Sequence, residues 1–146
     1  MQLSPHFSLS ELCVSNKARE LGIDNTPPSY MFPTMSATAT GMEQVRSVLG
    51  DLPITVANGY RCPALNRAVG GEKRSQHLLG EAVDFQCPAF GTPTKIVTAI
   101  VNSDVPYDQV ICEHLGYKMW VHVSFSSRNR REALLIDSAG TRPFVC

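Results

Sequence analysis

The sequence predicts an α+β fold in which N-terminal helices pack on a largely antiparallel sheet. Helical patterns fill most of the first half of the chain, whereas strand-like segments cluster in the second half, and this order is typical of α+β domains. No internal repeat or low-complexity segment divides the chain. Its 146 residues are enough to bury one core, so we expect a single domain over residues 1–146.

Two helices are predicted before residue 51. The first begins at Ser8, which fits a capping box with Glu11, and it ends near Gly22. Prolines at residues 27–28 then break the chain, and the second helix runs to about Gly50. Its apolar residues recur at helical spacing, so we expect them to be buried. They are Met42, Val45, Val48 and Leu49.

Five strands and two shorter helices account for the rest of the chain. The strands are rich in β-branched and aromatic residues and cover residues 54–61, 82–86, 109–113, 119–125 and 133–137. One helix begins at Pro63, and the other has Thr92 as its N-cap with Pro93 in its first turn. The residues that this last helix directs inward are Ile96, Val97, Ile100 and Val101.

The composition excludes several classes of protein. Apolar residues make up 43% and charged residues 18% of the chain, as in ordinary globular domains. The formal net charge is zero, so the chain lacks the basic field that draws proteins to nucleic acid, and we predict no nucleic-acid partner. Its longest apolar stretches have the length of strands, which predicts no membrane insertion. We expect a monomer.

Basic residues are concentrated in two places. Arg128, Arg130 and Arg131 lie close together late in the chain, and Lys73 and Arg74 precede the motif described below. Such clusters are usually solvated loops, and the alternative is a local role in holding an anionic substrate.

The five cysteines do not predict a site. They are odd in number and none forms a C-x-x-C pair, so a disulfide framework and a thiolate zinc site are both poor interpretations. Cys112 lies in an apolar strand, where a cysteine usually fills the core rather than acting as a nucleophile.

Histidine and carboxylate residues are spaced as a metal site requires. Zinc in a hydrolase usually has three protein ligands drawn from His, Asp and Glu, together with an open fourth position. His77 precedes a turn at Gly80, which lets the chain reverse, and Asp84 lies on the strand that follows. His77 and Asp84 are therefore the first two candidate ligands.

The third candidate ligand is His122. Side chains alternate along a strand, so Trp120, His122 and Ser124 share one face, while Val121 and Val123 take the other. A polar face with one aromatic wall suits a cleft. A single histidine in isolation is more often structural, so the prediction depends on the pattern around these residues.

The ordered motifs resemble those of a known family. The pattern S-x-H-x-x-G-x-A-x-D over residues 75–84, followed by W-x-H over residues 120–122, is similar to that of the zinc D-Ala-D-Ala carboxypeptidase family and its phage L-alanyl-D-glutamate endopeptidases. The upstream residues 58–61, 65–66 and 70–71 also resemble the stretch before the family's first metal histidine. The similarity extends from about Phe7 to Phe125.

The resemblance implies a zinc metallopeptidase that cuts stem peptides of bacterial peptidoglycan. It implies either a D,D-carboxypeptidase or an endolysin-type endopeptidase, with Zn²⁺ in a cleft on the sheet face. By position, the family's ligands fall on His77, Asp84 and His122, a set consistent with the preferences of zinc. These are the same three residues that the spacing indicates.

Substrate-binding residues are also implied. The family's substrate-binding arginine falls on Arg61, at the end of the strand 54–61 and facing the metal. A guanidinium there can grip a carboxylate or an oxyanion with two parallel hydrogen bonds. We expect Ser75 and Trp120 to contact the substrate as well.

The general base is where this sequence departs from part of the family. Many members have an acidic residue three positions before the last histidine, and this chain has Met119 there. Phage-type members have an acidic residue at the end of the preceding strand, which corresponds to Glu113. We therefore predict Glu113 as the base, with Asp108 and Glu81 as alternatives.

The two remaining histidines are predicted to be structural or solvent-facing. His114 is expected to turn to the opposite face from Glu113, and His6 to face solvent.

A non-catalytic binding or virion module that keeps zinc for stability is the alternative function, as the similar Hedgehog domain suggests. The N-terminus lacks a signal-peptide pattern, so we expect synthesis in the cytoplasm and action on the cell wall after phage-type release.

Overall fold

The computed structural model describes residues 1–145 and has a mixed α+β fold, which confirms the predicted class. The strands in this part of the chain are β1 (Gln2–Ser4), β2 (Phe7–Ser8), β3 (Thr55–Asn58), β4 (Ala82–Gln86), β5 (Gln109–Leu115), β6 (Lys118–Ser124), β7 (Glu132–Asp137) and β8 (Gly140–Pro143). The α-helices are α1 (Asn16–Leu21), α2 (Phe32–Val48), α3 (Pro63–Ala68) and α4 (Pro93–Val101).

Six strands form one sheet in the order β3-β4-β6-β5-β7-β8, and β1 pairs with β2 in a separate hairpin. Neighbouring strands run antiparallel except β5 and β7, which are parallel. After β6 the chain crosses the end of β5 and pairs with its far side. Because β6 runs opposite to β5, a strand that reverses direction after β6 runs parallel to β5.

The core joins α2 and α4 to the central strands. Alternation decides which strand residues take part: Val121 and Val123 are fully buried in the core, whereas His122 faces the other side. Of the apolar residues predicted to be buried in α2, all are fully buried except Val48, which is half-buried. In α4 all of the residues predicted to point inward are fully buried except Val101, which is half-buried.

The helix predicted from Ser8 to Gly22 is wrong as a single element. Ser8 and Glu11 do form the reciprocal contacts of a capping box, at 3.1 and 3.2 Å. Only a short 3₁₀ turn follows, because Val14 adopts an extended conformation. Ser15 then caps α1, which ends at Gly22 in the left-handed conformation, so the predicted end is correct.

The strand predicted over residues 54–61 is shorter than expected, and Arg61 lies three residues beyond the end of β3. The pairing of β3 with β4 shifts register before Asn58. The backbone N–H of Tyr60 then donates to the carbonyl of Leu12 at 2.7 Å instead of to the sheet. The chain leaves the sheet because these loop contacts replace the ladder.

The sequence did not predict β1, β2 or β8, which are short or lie at the edge of the sheet. The other elements agree with prediction to within a few residues. Within residues 1–145, no helix has the length and apolar character needed to span a membrane. Over the same range the cysteines are free, and Cys146 lies outside the described residues.

Candidate metal centre

A cleft of ≈ 670 Å³ lies on one face of the sheet, over β4, β5 and β6. The strand register brings its residues side by side: Asp84 pairs with His122, and His122 pairs with Ile111. Two residues further along, Glu113 pairs with Trp120 on the same face. All five side chains line the cleft.

Three side chains in this cleft form a cluster that fits a metal ion. His77, Asp84 and His122 are buried, and each offers one ligand atom within 4.8 Å of the others. Asp84 Oδ2 lies 3.3 Å from His77 Nε2, and Asp84 Oδ1 lies 3.0 Å from His122 Nδ1. Ligands about 2.1 Å from a tetrahedral zinc are roughly 3.4 Å from one another, so this donor set fits zinc.

Local backbone structure fixes the position of His77. The residue lies in a 3₁₀ turn that ends at Gly80, whose left-handed conformation (φ 72°) lets the chain reverse into β4, as the sequence predicts. Its Nδ1 lies 2.7 Å from the carbonyl oxygen of Gly59. Because a carbonyl can only accept, Nδ1 carries the proton and Nε2 keeps its lone pair for a metal.

The protonation states of the cluster suit a cation. Burial lowers the pKa of His77, which favours the neutral ring that metal ligation requires. Burial on its own would raise the pKa of Asp84, but the histidines beside it, His77 and His122, bring it well below its usual value. The cluster therefore presents one buried negative charge, which a divalent cation neutralises.

Arg61 also lines the cleft, although it lies in a loop and not on a strand. Its backbone N–H donates to the carbonyl of His77 at 3.0 Å, and its Nη1 donates to Asn66 at 3.1 Å. Its Nε is buried and has no acceptor in the part of the chain that the structure describes. An orphaned donor of this kind costs about 1–3 kcal/mol, which an oxygen of a bound ligand can recover.

Glu113 is the carboxylate nearest the cluster after Asp84. Its Oε1 lies 4.0 Å from His122 Nδ1. Burial raises the pKa of Glu113, and the negative charge of Asp84 raises it further. A carboxyl group with a raised pKa holds a proton more firmly and is a stronger base at neutral pH.

The two alternative bases lie elsewhere. Asp108 is fully buried, and its oxygens accept hydrogen bonds from Gln76, Arg128 and Arg130. Glu81 accepts from Gln76 at 3.3 Å, and neither carboxylate lines the cleft. Glu113 is thus the better placed of the three.

Ser75 and Trp120 line the cleft as well, while two histidines do not. Ser75 Oγ accepts from the backbone N–H of His77 at 3.2 Å, so it supports the turn that carries His77. His114 lies on the other face of β5, with its Nε2 3.9 Å from Cys112. His6 is exposed and contacts Glu43, as expected for a histidine outside the site.

Two contributors were missed by the sequence reasoning. The carbonyl of Gly59 orients His77, and Gln76 links the turn that carries His77 to Asp108. Gly59 lies within the stretch 58–61 that resembles the family motif, and this resemblance is the sequence signal for its role. Nothing in the residue types indicated that a backbone carbonyl or a glutamine would act here.

The chain is similar to known proteins over most of its length and, more closely, over one short segment. Residues 5–124 match the family described as Peptidase M15. A segment of 44 residues is 42% identical to the zinc D-Ala-D-Ala carboxypeptidase of Streptomyces albus G, and it covers 30% of this chain. That segment spans only 17% of the length of the Streptomyces protein.

Proposed function

Because the chain belongs to the peptidase M15 family, we propose that it hydrolyses peptide bonds in the stem peptides of bacterial peptidoglycan. Family membership confirms the predicted zinc metallopeptidase class. The similar Streptomyces protein is named a zinc D-Ala-D-Ala carboxypeptidase, and we propose a substrate of the same chemical class for this chain.

The observation that carries the proposal is one cleft that contains a metal-binding cluster, a spare carboxylate and a guanidinium. We propose His77, Asp84 and His122 as the zinc ligands. In this proposal Glu113 is the general base and Arg61 binds an anionic group of the substrate. Each role follows from the chemistry that the side chain can perform at its position.

Zinc bound in such a site would lower the pKa of a water molecule from its bulk value to roughly 7 and would polarise the scissile carbonyl. Glu113 takes the proton of the attacking water and delivers it to the leaving amine, a role typically worth about 10²–10⁴-fold. Arg61 donates its unpaired Nε–H to the substrate carboxylate or to the oxyanion that forms on the carbonyl. Ser75 and Trp120 form part of the wall against which the peptide lies.

Two reactions fit this arrangement, a D,D-carboxypeptidase and an endolysin-type endopeptidase. Both reactions act on a short peptide with small side chains, and this peptide lies in the same cleft. We propose that residues 1–146 act as one monomeric domain on the cell wall, after phage-type release, without a nucleic-acid partner. Identification of the bond that is cut separates the two reactions.

A non-catalytic, zinc-stabilised module is the second candidate. The observation in its favour is Met119, which packs against the core at the position where many family members have an acid. Glu113 weighs against this candidate, because it supplies a carboxylate to the cleft from the neighbouring strand.

Digestion of purified peptidoglycan, followed by mass spectrometry, tests the proposed function. Release of free D-alanine identifies a carboxypeptidase, whereas a new N-terminal D-glutamate identifies an endopeptidase. We expect the activity to disappear with a chelator and to return with zinc. Absence of any product from the zinc-loaded protein would favour the non-catalytic module.

Elemental analysis tests the ligand set separately. We expect about one zinc per chain, lost in each of His77→Ala, Asp84→Ala and His122→Ala. His6→Ala is the matched control, because His6 is exposed and its ring pairs with Glu43 outside the cleft. A ligand variant that keeps its full zinc content removes that residue from the set.

A further inference from the structure

The arginines of the loop between β6 and β7 have different surroundings. Arg131 lies with its guanidinium 4.5 Å from the Tyr107 ring centroid and donates to the carbonyls of Val105 and Ser103. These contacts give it a structural role away from the cleft. Arg128 and Arg130, by contrast, line the same cleft as the metal cluster.

Both cleft arginines depend on one carboxylate. Arg130 donates to Asp108 from Nε and Nη2, each at 2.8 Å, and Arg128 donates from Nη2 at 3.1 Å. Asp108 is fully buried, whereas the side chains of Arg128 and Arg130 are 56% and 39% exposed. The single charge of Asp108 is therefore shared by two arginines, and Arg130 also interacts with Glu132, which leaves Arg128 the less neutralised of the two at the solvent-facing edge of the cleft.

The loop that carries these arginines is held in an unusual conformation. Asn129 and Arg131 have positive φ angles of 42° and 51°, a conformation that costs non-glycine residues about 1–3 kcal/mol. The backbone N–H of Arg130 donates to Asp108 at 3.2 Å, and that of Arg131 donates to the carbonyl of Tyr107 at 3.1 Å. These contacts hold the loop with Arg128 and Arg130 at the cleft.

Hydrogen-bonding capacity remains at this edge. Within residues 1–145, the Nε and Nη1 groups of Arg128 and the Nη1 group of Arg130 have no protein acceptor. A guanidinium with free N–H groups is suited to a carboxylate, which it binds with charge-assisted hydrogen bonds. The cleft as a whole contains four arginines and three carboxylates, and a zinc ion would add further positive charge.

We propose that Arg128, supported by Arg130 and Asp108, forms a second anion subsite in the cleft. It binds a carboxylate of the substrate peptide other than the group assigned to Arg61, and it makes the enzyme selective for acidic peptides. This proposal rests on the proposed peptidase function, because it names a substrate feature of the same cleft. Arg128 is the determinant of specificity because it is the more exposed of the two arginines and has more unused donors.

The test uses two synthetic peptides that end in D-Ala-D-Ala. One contains an upstream D-glutamate with a free carboxylate, and in the other that carboxylate is a carboxamide. We expect the zinc-loaded protein to have a KM about tenfold lower for the carboxylate peptide, and this ratio to fall to about one in Arg128→Gln. Arg128→Lys should restore part of the ratio, since it keeps the charge without the forked donors.

A matched control and a direct binding measurement accompany the kinetics. Arg142→Gln removes an exposed arginine that pairs with Asp137 outside the cleft, and it should keep the tenfold ratio. Trp120 is the only tryptophan of the chain and lines the cleft, so quenching of its fluorescence reports binding of either peptide. In the unaltered protein, the preference for the carboxylate peptide should weaken as salt is raised, because the arginines are partly exposed.

The outcomes separate the two proposals. Equal KM and equal binding of both peptides by the unaltered protein would overturn the anion subsite while leaving the peptidase function intact. A preference that survives in Arg128→Gln would overturn the role of Arg128. If neither peptide is cut but fluorescence still shows tighter binding of the carboxylate peptide, the subsite stands and the peptidase function fails. The salt titration applies even if Arg128→Gln does not fold.

Discussion

Among single residues, Glu113 has the most demanding role in the proposed chemistry. Its carboxylate lies 4.0 Å from His122 and is partly buried, so its pKa is raised by burial and by Asp84. Its neighbours Cys112 and His114 face the other side of the sheet, because side chains alternate along β5. Glu113 can therefore be altered with little effect on the core.

Glu113→Gln should separate metal binding from catalysis. We expect the variant to fold and to keep its zinc, but to lose activity by a factor on the order of 10² or more, because the amide cannot accept a proton. Zinc content by elemental analysis and kcat on wall peptides are the two measurements.

Asp108→Asn and Glu81→Gln are the comparisons for Glu113→Gln, since neither carboxylate lines the cleft. A near-normal rate in Glu113→Gln together with a large loss of kcat in Glu81→Gln, or in Asp108→Asn that is still folded and zinc-loaded, would transfer the role of base to that residue.

Among the elements, the loop after β3 is tightly coupled to the turn that carries His77. A Cβ on Gly59 would lie too close to the backbone carbonyl of Leu12, which cannot move without disturbing the turn at residues 11–13. The carbonyl of the same glycine accepts the hydrogen bond that orients His77. Packing of this loop and orientation of the His77 ring therefore depend on one residue.

Gly59→Ala should lower both stability and zinc affinity. We expect a loss of about 2 kcal/mol in the free energy of unfolding from the steric conflict and a decrease in zinc affinity on the order of tenfold from the displaced carbonyl. Gly22→Ala is the control: Gly22 has a positive φ of 67° but open space around it, so it should lose about 1 kcal/mol and keep its zinc affinity. Unchanged zinc affinity in Gly59→Ala would show that its carbonyl does not orient His77.

The loop between β6 and β7 should make folding sensitive to acid. Hydrogen bonds from Arg130 lower the pKa of Asp108 well below that of an unfolded aspartate, about 3.9. The stabilisation is therefore present above about pH 4 and is lost as the pH falls toward the folded-state pKa. Asp108→Asn should lose about 1–3 kcal/mol of unfolding free energy at pH 7 because its hydrogen bonds to the arginines are weakened. Between about pH 5 and pH 2, its stability should fall less than that of the unaltered protein. If the stability of Asp108→Asn and that of the unaltered protein decreased equally as the pH was lowered, this role of Asp108 would be contradicted.

At the scale of the whole molecule, the metal cluster joins parts of the chain that are distant in sequence. His77 comes from a turn, and Asp84 and His122 come from two adjacent strands of the sheet. All three residues can bind one ion only when the sheet and the turn have folded. Zinc binding and folding are therefore linked.

Removal of zinc should lower the melting temperature. At a free zinc concentration of about 100 times its Kd, binding stabilises the folded state by about 2.7 kcal/mol. For a domain of this size, the melting temperature should fall by about 5–10 °C when a chelator is added. Calorimetry with and without chelator measures the change, and the His77→Ala variant should show none.

The sequence by itself was sufficient for the elements whose pattern is local. The strand 82–86 and the helix following Thr92 match their predicted positions, and His77, Asp84 and His122 come together as their spacing indicated. Side-chain alternation and end-capping act over a few residues, so they can be recognised without knowing the fold.

Only the tertiary structure decided which of several similar residues serves the cleft. Glu113 and Asp108 are both acidic residues at β5, yet one lines the cleft and the other is buried against two arginines. The carbonyl of Gly59 and the free donors of Arg128 likewise gain their roles from contacts across 18 or 20 positions of the chain. Their burial and partners depend on how the loops cross the ends of the sheet, and no local pattern encodes that crossing.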